Sequence, residues 1–165
     1  IWNPNEPLLI YNIDTYVNPS YLDPKFIKEG SEGWIPCFHA KGNHWSFVDI
    51  NKKGWAKTVK EKEKISNNAS VGLYWFKSAS LYEEIYSEFF SNEKNLVNGE
   101  KYIAPMYQHM IDKNMKISIN TIPFDSVYVL GTSITSIILL FCKNSKCLNG
   151  VKFKLDFFSM LVGKK

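Results

Sequence analysis

The chain has 165 residues and a formal net charge of +4; 45% of its residues are hydrophobic and 15% are aromatic. This composition excludes a disordered chain, a fibrous protein and a disulfide scaffold, since those classes have too few apolar residues, repetitive glycine or many cysteines. The length suits one ordinary domain. Every basic residue is a lysine, and because base-specific recognition relies on the arginine guanidinium, we expect no nucleic-acid binding.

The first predicted strand ends at an acidic residue. Residues 8–13 form a continuous apolar run, which is typical of a strand covered on both faces in a parallel sheet. Asp14 follows this run directly. At the carboxyl end of such a strand, an aspartate either binds a ligand such as Mg²⁺ or caps the next turn, and its position alone leaves both interpretations open. A turn at residues 18–20 predicts a short helix over residues 21–28.

The middle of the chain has the apolar runs and turn residues of a group of strands. Pro36 lies within the first of them and favours an edge position, because proline cannot donate a hydrogen bond to a neighbouring strand. A tight turn at residues 51–54 joins two of these strands as a hairpin. The predicted strands cover residues 33–40, 45–50, 55–59 and 71–76.

Helical spacing dominates the part that follows. Apolar residues recur at helical intervals over residues 79–90 and 102–111, whereas residues 117–122 and 127–130 favour strands. Strands that alternate with helices, with a hairpin inserted among them, predict an α/β fold with a mixed sheet. The apolar run that continues to residue 142 is interrupted by polar residues and is too short to span a membrane, so we expect a helix there.

Two further clusters have both a functional and a structural interpretation. The charged run over residues 59–64 is either a solvated loop or a segment from which one lysine reaches a phosphate, and spacing does not say which lysine turns inward. Cys37, His39 and His44 lack the fourth ligand of a zinc site, so we favour alternating residues of a strand. Three unpatterned cysteines and no signal peptide indicate a reducing, cytoplasmic location.

Several short segments, taken in order, resemble the sugar-phosphate nucleotidyltransferases. The closest likeness is to the branch found in bacterial capsule and lipopolysaccharide gene clusters, and it covers residues 7–132. No single motif is specific, but their ordered set is. The segments are Asn12-Ile13-Asp14, Trp45-Ser46-Phe47-Val48-Asp49, Val59-Lys60-Glu61-Lys62, Ile65-Ser66-Asn67-Asn68-Ala69, Gly72-Leu73-Tyr74, Gly99-Glu100-Lys101-Tyr102-Ile103 and Leu130-Gly131-Thr132.

The resemblance implies a partial Rossmann-like mixed sheet of the nucleotide-diphospho-sugar transferase type. It also implies a reaction in which a sugar-phosphate oxygen attacks the α-phosphorus of a nucleoside triphosphate and pyrophosphate leaves. Such a transfer depends on positioning and charge neutralisation, for which Mg²⁺ is the implied cofactor. The implied partners are an NTP and a sugar phosphate or another small phosphorylated substrate, without nucleic acid or membrane. Assembly of the chain with copies of itself stays open.

The resemblance also assigns roles to individual residues of this sequence. Asp14 falls on the strand-end aspartate that holds Mg²⁺, and both Asp14 and Lys62 are implied to be catalytic. Glu61 and Lys62 fall on a Glu-Lys pair whose lysine meets the phosphate of the sugar. Gly72 falls on a glycine that lets the sugar approach the backbone. Glu100 falls on a glutamate that binds sugar hydroxyls, and Tyr102 beside it is assigned to the substrate as well.

The glycine-rich nucleotide loop of this family has no counterpart before Pro7. We therefore expect residues 1–132 to be the C-terminal part of a nucleotidyltransferase domain that is inactive alone, followed by a C-terminal helix and an unassigned tail over residues 133–165. The main alternative is a non-catalytic module that binds a sugar phosphate or regulates. A related glycosyltransferase is disfavoured, because Asp14-Thr15-Tyr16 is not an Asp-x-Asp metal pair. An interaction domain is disfavoured because the aromatic residues have core spacing.

Overall fold

The structure is a computed structural model that describes residues 3–97 and 99–130. The helix and tail expected over residues 133–165 lie outside the described residues. None of the described helices has the length and apolarity needed to cross a membrane. The described elements, in chain order, are β1 (Leu8–Tyr11), β2 (Thr15–Val17), β3 (Gly33–His39), β4 (Ser46–Ile50), β5 (Ala56–Glu61), β6 (Asn68–Ser70), β7 (Leu73–Phe76), α1 (Ala79–Phe90), α2 (Ala104–Asp112), β8 (Ile117–Ile122) and β9 (Val127–Val129).

Most of the strands form one mixed sheet of seven strands, which confirms the predicted α/β class. β3 pairs in parallel with β8 on one edge and antiparallel with both β6 and β7 on the other. Beyond them, β7 pairs with β1, whereas β6 pairs with β4, which pairs with β5. The sheet therefore forks along residues 68–76, with β1 on one branch and the β4–β5 hairpin on the other.

Two cores lie on the two faces of this sheet. The helices cover one face, where Ile85, Met106 and Tyr107 are fully buried. The opposite face is covered by residues 18–27 and by the two-stranded sheet of β2 and β9, with Val17 buried there. Burial of apolar area on both faces is the main stabilising contribution expected of such a three-layer arrangement.

The first strand differs in part from its prediction. Leu8 and Ile10 pack against the helix-side core, and Leu9 and Tyr11 pack against the opposite core. The continuous apolar run therefore correctly indicated two covered faces. The expectation of parallel pairing is wrong, since β1 pairs antiparallel with β7. Whether a strand is covered on both faces depends on the layers around the sheet. Such burial does not specify the direction of the neighbouring strand.

Pro36 lies in a central strand, so the predicted edge position is wrong. Its partner in the parallel ladder is Asn120, and on the other edge its carbonyl accepts the Val71 N–H at 3.1 Å. The break between β6 and β7 falls opposite Pro36. Because the ladder is interrupted there, no regular strand pairing requires the N–H that proline lacks.

The helix predicted over residues 21–28 is also wrong, since two separate 3₁₀ turns form instead, at Pro19–Tyr21 and Pro24–Phe26. Asn18 accepts from the N–H of Ser20, and Asp23 accepts from the N–H of Lys25. Each of these short bonds closes its own turn, and the second proline cannot continue a helix from the first. The helix α1 is confirmed, with the Ser78 hydroxyl accepting from the N–H of Leu81 at its start.

The hydrogen bond that joins α2 to the sheet gives a first stability prediction. The buried hydroxyl of Tyr107 donates to the Trp75 carbonyl at 2.7 Å. Tyr107→Phe is expected to lower the free energy of unfolding by about 1–2 kcal/mol, because that carbonyl loses its partner in a buried setting. Urea denaturation measures the change. Tyr86→Phe, which removes a hydroxyl bonded at the surface to Lys101, is the matched control, and equal effects of the two variants would contradict the prediction.

Candidate functional site

A cleft of about 340 Å³ opens where the sheet forks, a volume typical of small-molecule sites. Its lining comes from the end of β1, the start of β4, the end of β5, the residues before α2, and residues 70–74 of the forked segment. β1 ends beside Leu73 and β4 begins beside Ala69, so the two strands leave a gap opposite Gly72. The fork itself therefore creates the cleft.

Gly72 is required at this gap by its backbone angle and by its surroundings. Its φ of +79° lies in the left-handed region that favours glycine, and an added Cβ would lie 2.9 Å from Nδ2 of Asn12. Its carbonyl accepts from the N–H of Asn12 at 2.9 Å, and its own N–H donates to the Ser70 hydroxyl at 3.0 Å. Gly72 thus allows the chain after β1 to approach the forked segment closely.

Lys62 follows β5 directly and reaches a hydrogen-bonded pair before α2. Its ammonium donates to the Tyr102 hydroxyl at 3.0 Å, and that hydroxyl donates to Oε2 of Glu100 at 2.6 Å. The bond to the Tyr102 oxygen is the main reason that the pKa of Lys62 lies above its ordinary value, and the charges of Glu61 and Glu100 act in the same direction. Lys62 is therefore a cation throughout the physiological range.

Glu61 is the last residue of β5 and also lines the cleft. The Ser46 hydroxyl donates to Oε2 of Glu61, and the Tyr74 hydroxyl donates to the Ser46 oxygen at 3.3 Å. Burial raises the pKa of Tyr74 to about 12, so this phenol remains a neutral donor. One oxygen of Glu61 is held by this chain of hydroxyls.

A β-bulge in the β4–β5 hairpin decides which residues face the cleft. Ser46 pairs with Glu61 and Val48 pairs with Val59, but the register shifts between Asp49 and Ile50. Without that shift, the register of Ile50 with Ala56 would continue along the hairpin and put Lys60 opposite Ser46. The bulge therefore places Glu61, and not its neighbour, beside the Ser46 hydroxyl.

Asp14 is exposed and lies in the lining of the cleft, three residues beyond the end of β1 at Tyr11. Its carboxylate accepts from the Thr15 hydroxyl at 3.3 Å, and its carbonyl accepts from the N–H of Leu130 at 2.6 Å. The latter bond ties the start of β2 to the chain after β9. Most of the carboxylate's acceptor capacity therefore faces the cleft and solvent.

The fit of these residues to Mg²⁺ can be judged from the donors present. Among residues 3–97 and 99–130, no group of three or more His, Cys, Asp or Glu side chains forms an ion-binding cluster. Mg²⁺ is commonly held in proteins by one or two carboxylates together with substrate phosphates and waters. Asp14 fits that mode as a single carboxylate ligand, and it does not fit a site made by the protein alone.

The cleft brings most of the predicted site residues together. Asp14, Glu61, Lys62, Gly72 and Tyr102 line it, and Glu100 touches it through Tyr102. Four further lining residues make hydrogen bonds within the site, and their supporting roles were not predicted from the sequence. Three of them belong to the quoted segments and bond to partners far away along the chain, whereas Ser70 belongs to none of those segments and bonds to nearby Gly72. These residues are Asn12, Ser46, Ser70 and Tyr74.

A second cleft, of about 410 Å³, lies along the outer side of β5. Its lining includes Gln108, which accepts the N–H of Val59 at 2.8 Å and donates to Asp112 at 2.8 Å. Glu61 is the one predicted site residue in this lining. This cleft is larger, but the Gln108 side-chain amide in its lining is already engaged in hydrogen bonds within the protein. The cleft at the fork is therefore the better candidate.

Comparisons with known proteins bear on the fold that contains this cleft. No family model and no curated protein matches the sequence. Among solved structures, the nucleoside-diphosphate-sugar pyrophosphorylase from Vibrio cholerae RC9 matches with a TM-score of 0.67 and 28% sequence identity over 81% of this chain. The fold is that of the nucleotide-sugar transferases. This confirms the partial Rossmann-like sheet that the sequence resemblance implied.

Two further structures share the fold at lower identity. The inositol-1-phosphate CTP transferase from T. maritima has a TM-score of 0.56 and 14% identity; the match covers 72% of this chain and 46% of that one. A Bacillus anthracis protein assigned as a glucose-1-phosphate thymidylyltransferase, in complex with a sucrose, has a TM-score of 0.59 and 14% identity, with 90% and 57% covered. The chain spans 55% of the Vibrio protein, about half of a nucleotide-sugar transferase.

Proposed function

We propose that this chain supplies the sugar-phosphate-binding side of a nucleotidyltransferase. The full reaction joins a nucleoside monophosphate unit from an NTP to a sugar phosphate or a similar phosphorylated substrate. An oxygen of the sugar phosphate attacks the α-phosphorus, the bond from that phosphorus to the oxygen bridging to the β-phosphate breaks, and pyrophosphate leaves. Synthesis of capsule or lipopolysaccharide precursors is the setting that we propose for it.

One observation carries this proposal. The cleft at the fork combines a fixed lysine, several carboxylates and a glycine in its lining, within a fold shared with nucleotide-sugar transferases. The lysine ammonium can bind a phosphate, and carboxylate and backbone oxygens can accept hydrogen bonds from sugar hydroxyls. These groups lie on four separate segments of the chain, so their meeting in one cleft is a property of the tertiary structure.

Lys62 is the proposed ligand for the phosphate of the substrate. Its ammonium has three N–H donors, and the bond to Tyr102 uses one of them. The two remaining donors are available for phosphate oxygens. A protonated lysine beside the attacking phosphate also offsets negative charge that two phosphorylated substrates bring together. The proposed catalytic contribution of Lys62 is therefore positioning and charge neutralisation.

The proposed sugar contacts come from Glu61, Glu100 and Gly72. Ser46 occupies Oε2 of Glu61, and Tyr102 occupies Oε2 of Glu100, so each carboxylate keeps a second oxygen for a sugar hydroxyl. Gly72 lines the cleft, and its carbonyl, which accepts from the N–H of Asn12, keeps a second lone pair. Carboxylates that accept from several hydroxyls give orientation as well as affinity, because each bond has a preferred direction.

Asp14 is the residue that we propose to hold Mg²⁺ together with substrate phosphates. The ion supplies neutralisation of the negative charge on those phosphates. Asp14 itself contributes a carboxylate that the single bond from Thr15 leaves largely free. Its neighbouring backbone is tied to the chain after β9, which holds the carboxylate at the rim of the cleft.

Binding and catalysis are tested separately in the 165-residue chain. Calorimetry with a panel of hexose 1-phosphates, with the free hexoses as matched controls, measures phosphate-dependent binding. Pyrophosphate release is measured with each of the four NTPs, the same sugar phosphates and Mg²⁺. We expect binding that requires the phosphate, and no pyrophosphate release by this chain alone. Failure of every phosphorylated probe to bind would overturn the proposed function. Pyrophosphate release would support the activity and overturn the proposed inactivity of the chain.

A further inference from the structure

We propose that Tyr102 is a positioning residue that holds the Lys62 ammonium at the cleft before a ligand binds, and that Glu100 orients the Tyr102 hydroxyl. This assignment rests on the proposed function, in which Lys62 binds the phosphate. It differs from the role that the sequence resemblance implied for Tyr102, namely a direct contact with the substrate. Tyr102 acts through Lys62 and not on the reacting atoms.

The chemistry of the three groups determines the direction of both hydrogen bonds. An ammonium has no acceptor and an ionised carboxylate has no donor, whereas a phenol has one O–H and free lone pairs. The single proton of Tyr102 therefore points to Glu100 at 2.6 Å, and a lone pair of the phenol accepts from Lys62 at 3.0 Å. Glu100 thus keeps the Tyr102 oxygen available as an acceptor for the lysine.

Tyr102 contacts Lys62 in a second way. The Lys62 ammonium lies 4.7 Å from the centre of the Tyr102 ring, within the range of a cation–π interaction. The backbone of Lys62 has a φ of +56°, which an L-residue adopts only when the surrounding structure holds it, and its N–H donates to the Trp45 carbonyl at 3.0 Å. Both ends of the lysine are therefore fixed, although the side chain is exposed.

Holding the ammonium in advance reduces the entropy that a long side chain loses when it binds a ligand. Lys101 offers a comparison, because its ammonium lies 2.9 Å from the Tyr86 hydroxyl and 4.8 Å from that ring. In the described residues, no carboxylate accepts from the Tyr86 hydroxyl. Both lysines line the cleft, and the Lys62–Tyr102–Glu100 arrangement is distinguished by the carboxylate that accepts the proton of its phenol.

The test uses the full 165-residue chain with ¹³C-labelled lysine methylene groups, and assigns the Lys62 signal by its loss in Lys62→Arg. Tyr102→Phe keeps the ring and removes the acceptor, Tyr102→Leu removes both, and Tyr86→Phe is the matched control. We expect the pKa of Lys62 to fall in Tyr102→Phe and to stay unchanged in Tyr86→Phe. We also expect glucose 1-phosphate and inorganic phosphate to bind about 3- to 10-fold more weakly to Tyr102→Phe, and more weakly still to Tyr102→Leu.

The outcomes separate this proposal from the proposed function. If wild type binds phosphorylated probes and Tyr102→Phe binds them equally well, the positioning role of Tyr102 is wrong and the proposed function stands. An unchanged Lys62 pKa in Tyr102→Phe also contradicts the positioning role, whatever the binding results. If wild type binds no phosphorylated probe, the proposed function fails, and the purpose assigned to Tyr102 fails with it. Thermal unfolding of each variant checks that the fold is intact.

Discussion

Lys62→Asn is expected to weaken the binding of hexose 1-phosphates by about 10- to 100-fold. The loss corresponds to charge-assisted hydrogen bonds worth about 1.5–3 kcal/mol. Asparagine is chosen because it tolerates the left-handed backbone that Lys62 adopts at a φ of +56°. The free energy of unfolding is therefore expected to change by no more than about 1 kcal/mol. Calorimetry and urea denaturation measure the two effects independently.

The matched control for this experiment is Lys60→Asn. Lys60 is an exposed lysine two residues earlier, on β5; it does not line the cleft at the fork and carries the same charge. Removing it changes the net charge of the protein equally, so any general electrostatic effect on anion binding appears in both variants. Similar losses of affinity in Lys60→Asn and Lys62→Asn would show that Lys62 has no special contact with the phosphate.

Gly72→Ala is expected to lower the free energy of unfolding by about 2–4 kcal/mol. Part of this comes from the backbone, because an L-residue at a φ of +79° is strained by about 1–2 kcal/mol. The rest comes from overpacking, since the new Cβ would lie 2.9 Å from Nδ2 and 3.0 Å from Cβ of Asn12. The same substitution narrows the cleft, so binding of hexose 1-phosphates is expected to weaken as well.

Gly54→Ala separates the two contributions. Gly54 has a φ of +76°, but an added Cβ there meets nothing within 4 Å. Gly54→Ala should therefore lower the free energy of unfolding only by the backbone contribution, about 1–2 kcal/mol. The double variant Gly72→Ala with Asn12→Ala removes the amide from the crowded site and is expected to recover part of the loss. Equal destabilisation by Gly72→Ala and Gly54→Ala would contradict the close approach of Asn12 to the fork.

Local patterns predicted the elements whose signals are short-range. The helical spacing and the Ser78 cap are contained within residues 78–90, and α1 has the predicted bounds. β8 likewise has its predicted bounds, because a run of alternating β-branched residues needs no distant partner to be recognised. The helix expected at residues 21–28 was wrong because Asn18 and Asp23 close separate turns, and such local competition is not visible in apolar spacing.

Sequence resemblance named the candidate site residues, but it did not say how they meet. Lys60, Lys62 and Lys64 are equivalent by composition, and nothing in their spacing decides which one turns to the cleft. The choice is made just after β5 ends at Glu61, where Lys62 adopts a φ of +56° and its N–H donates to the Trp45 carbonyl at 3.0 Å. The bulge between Asp49 and Ile50 separately places Glu61 opposite Ser46. Neither feature has a reliable signal in a single sequence.

The sequence by itself determined the α/β class and the order of the main elements, since periodicity and turn residues act over a few positions. The family resemblance added the candidate site residues. Only the tertiary structure decided the fork at Gly72, the antiparallel pairing of β1, and the partners of Lys62. Those features depend on contacts between residues separated by 40 or more positions, as for Lys62 and Tyr102. Their geometry follows from packing of the layers, which no local pattern records.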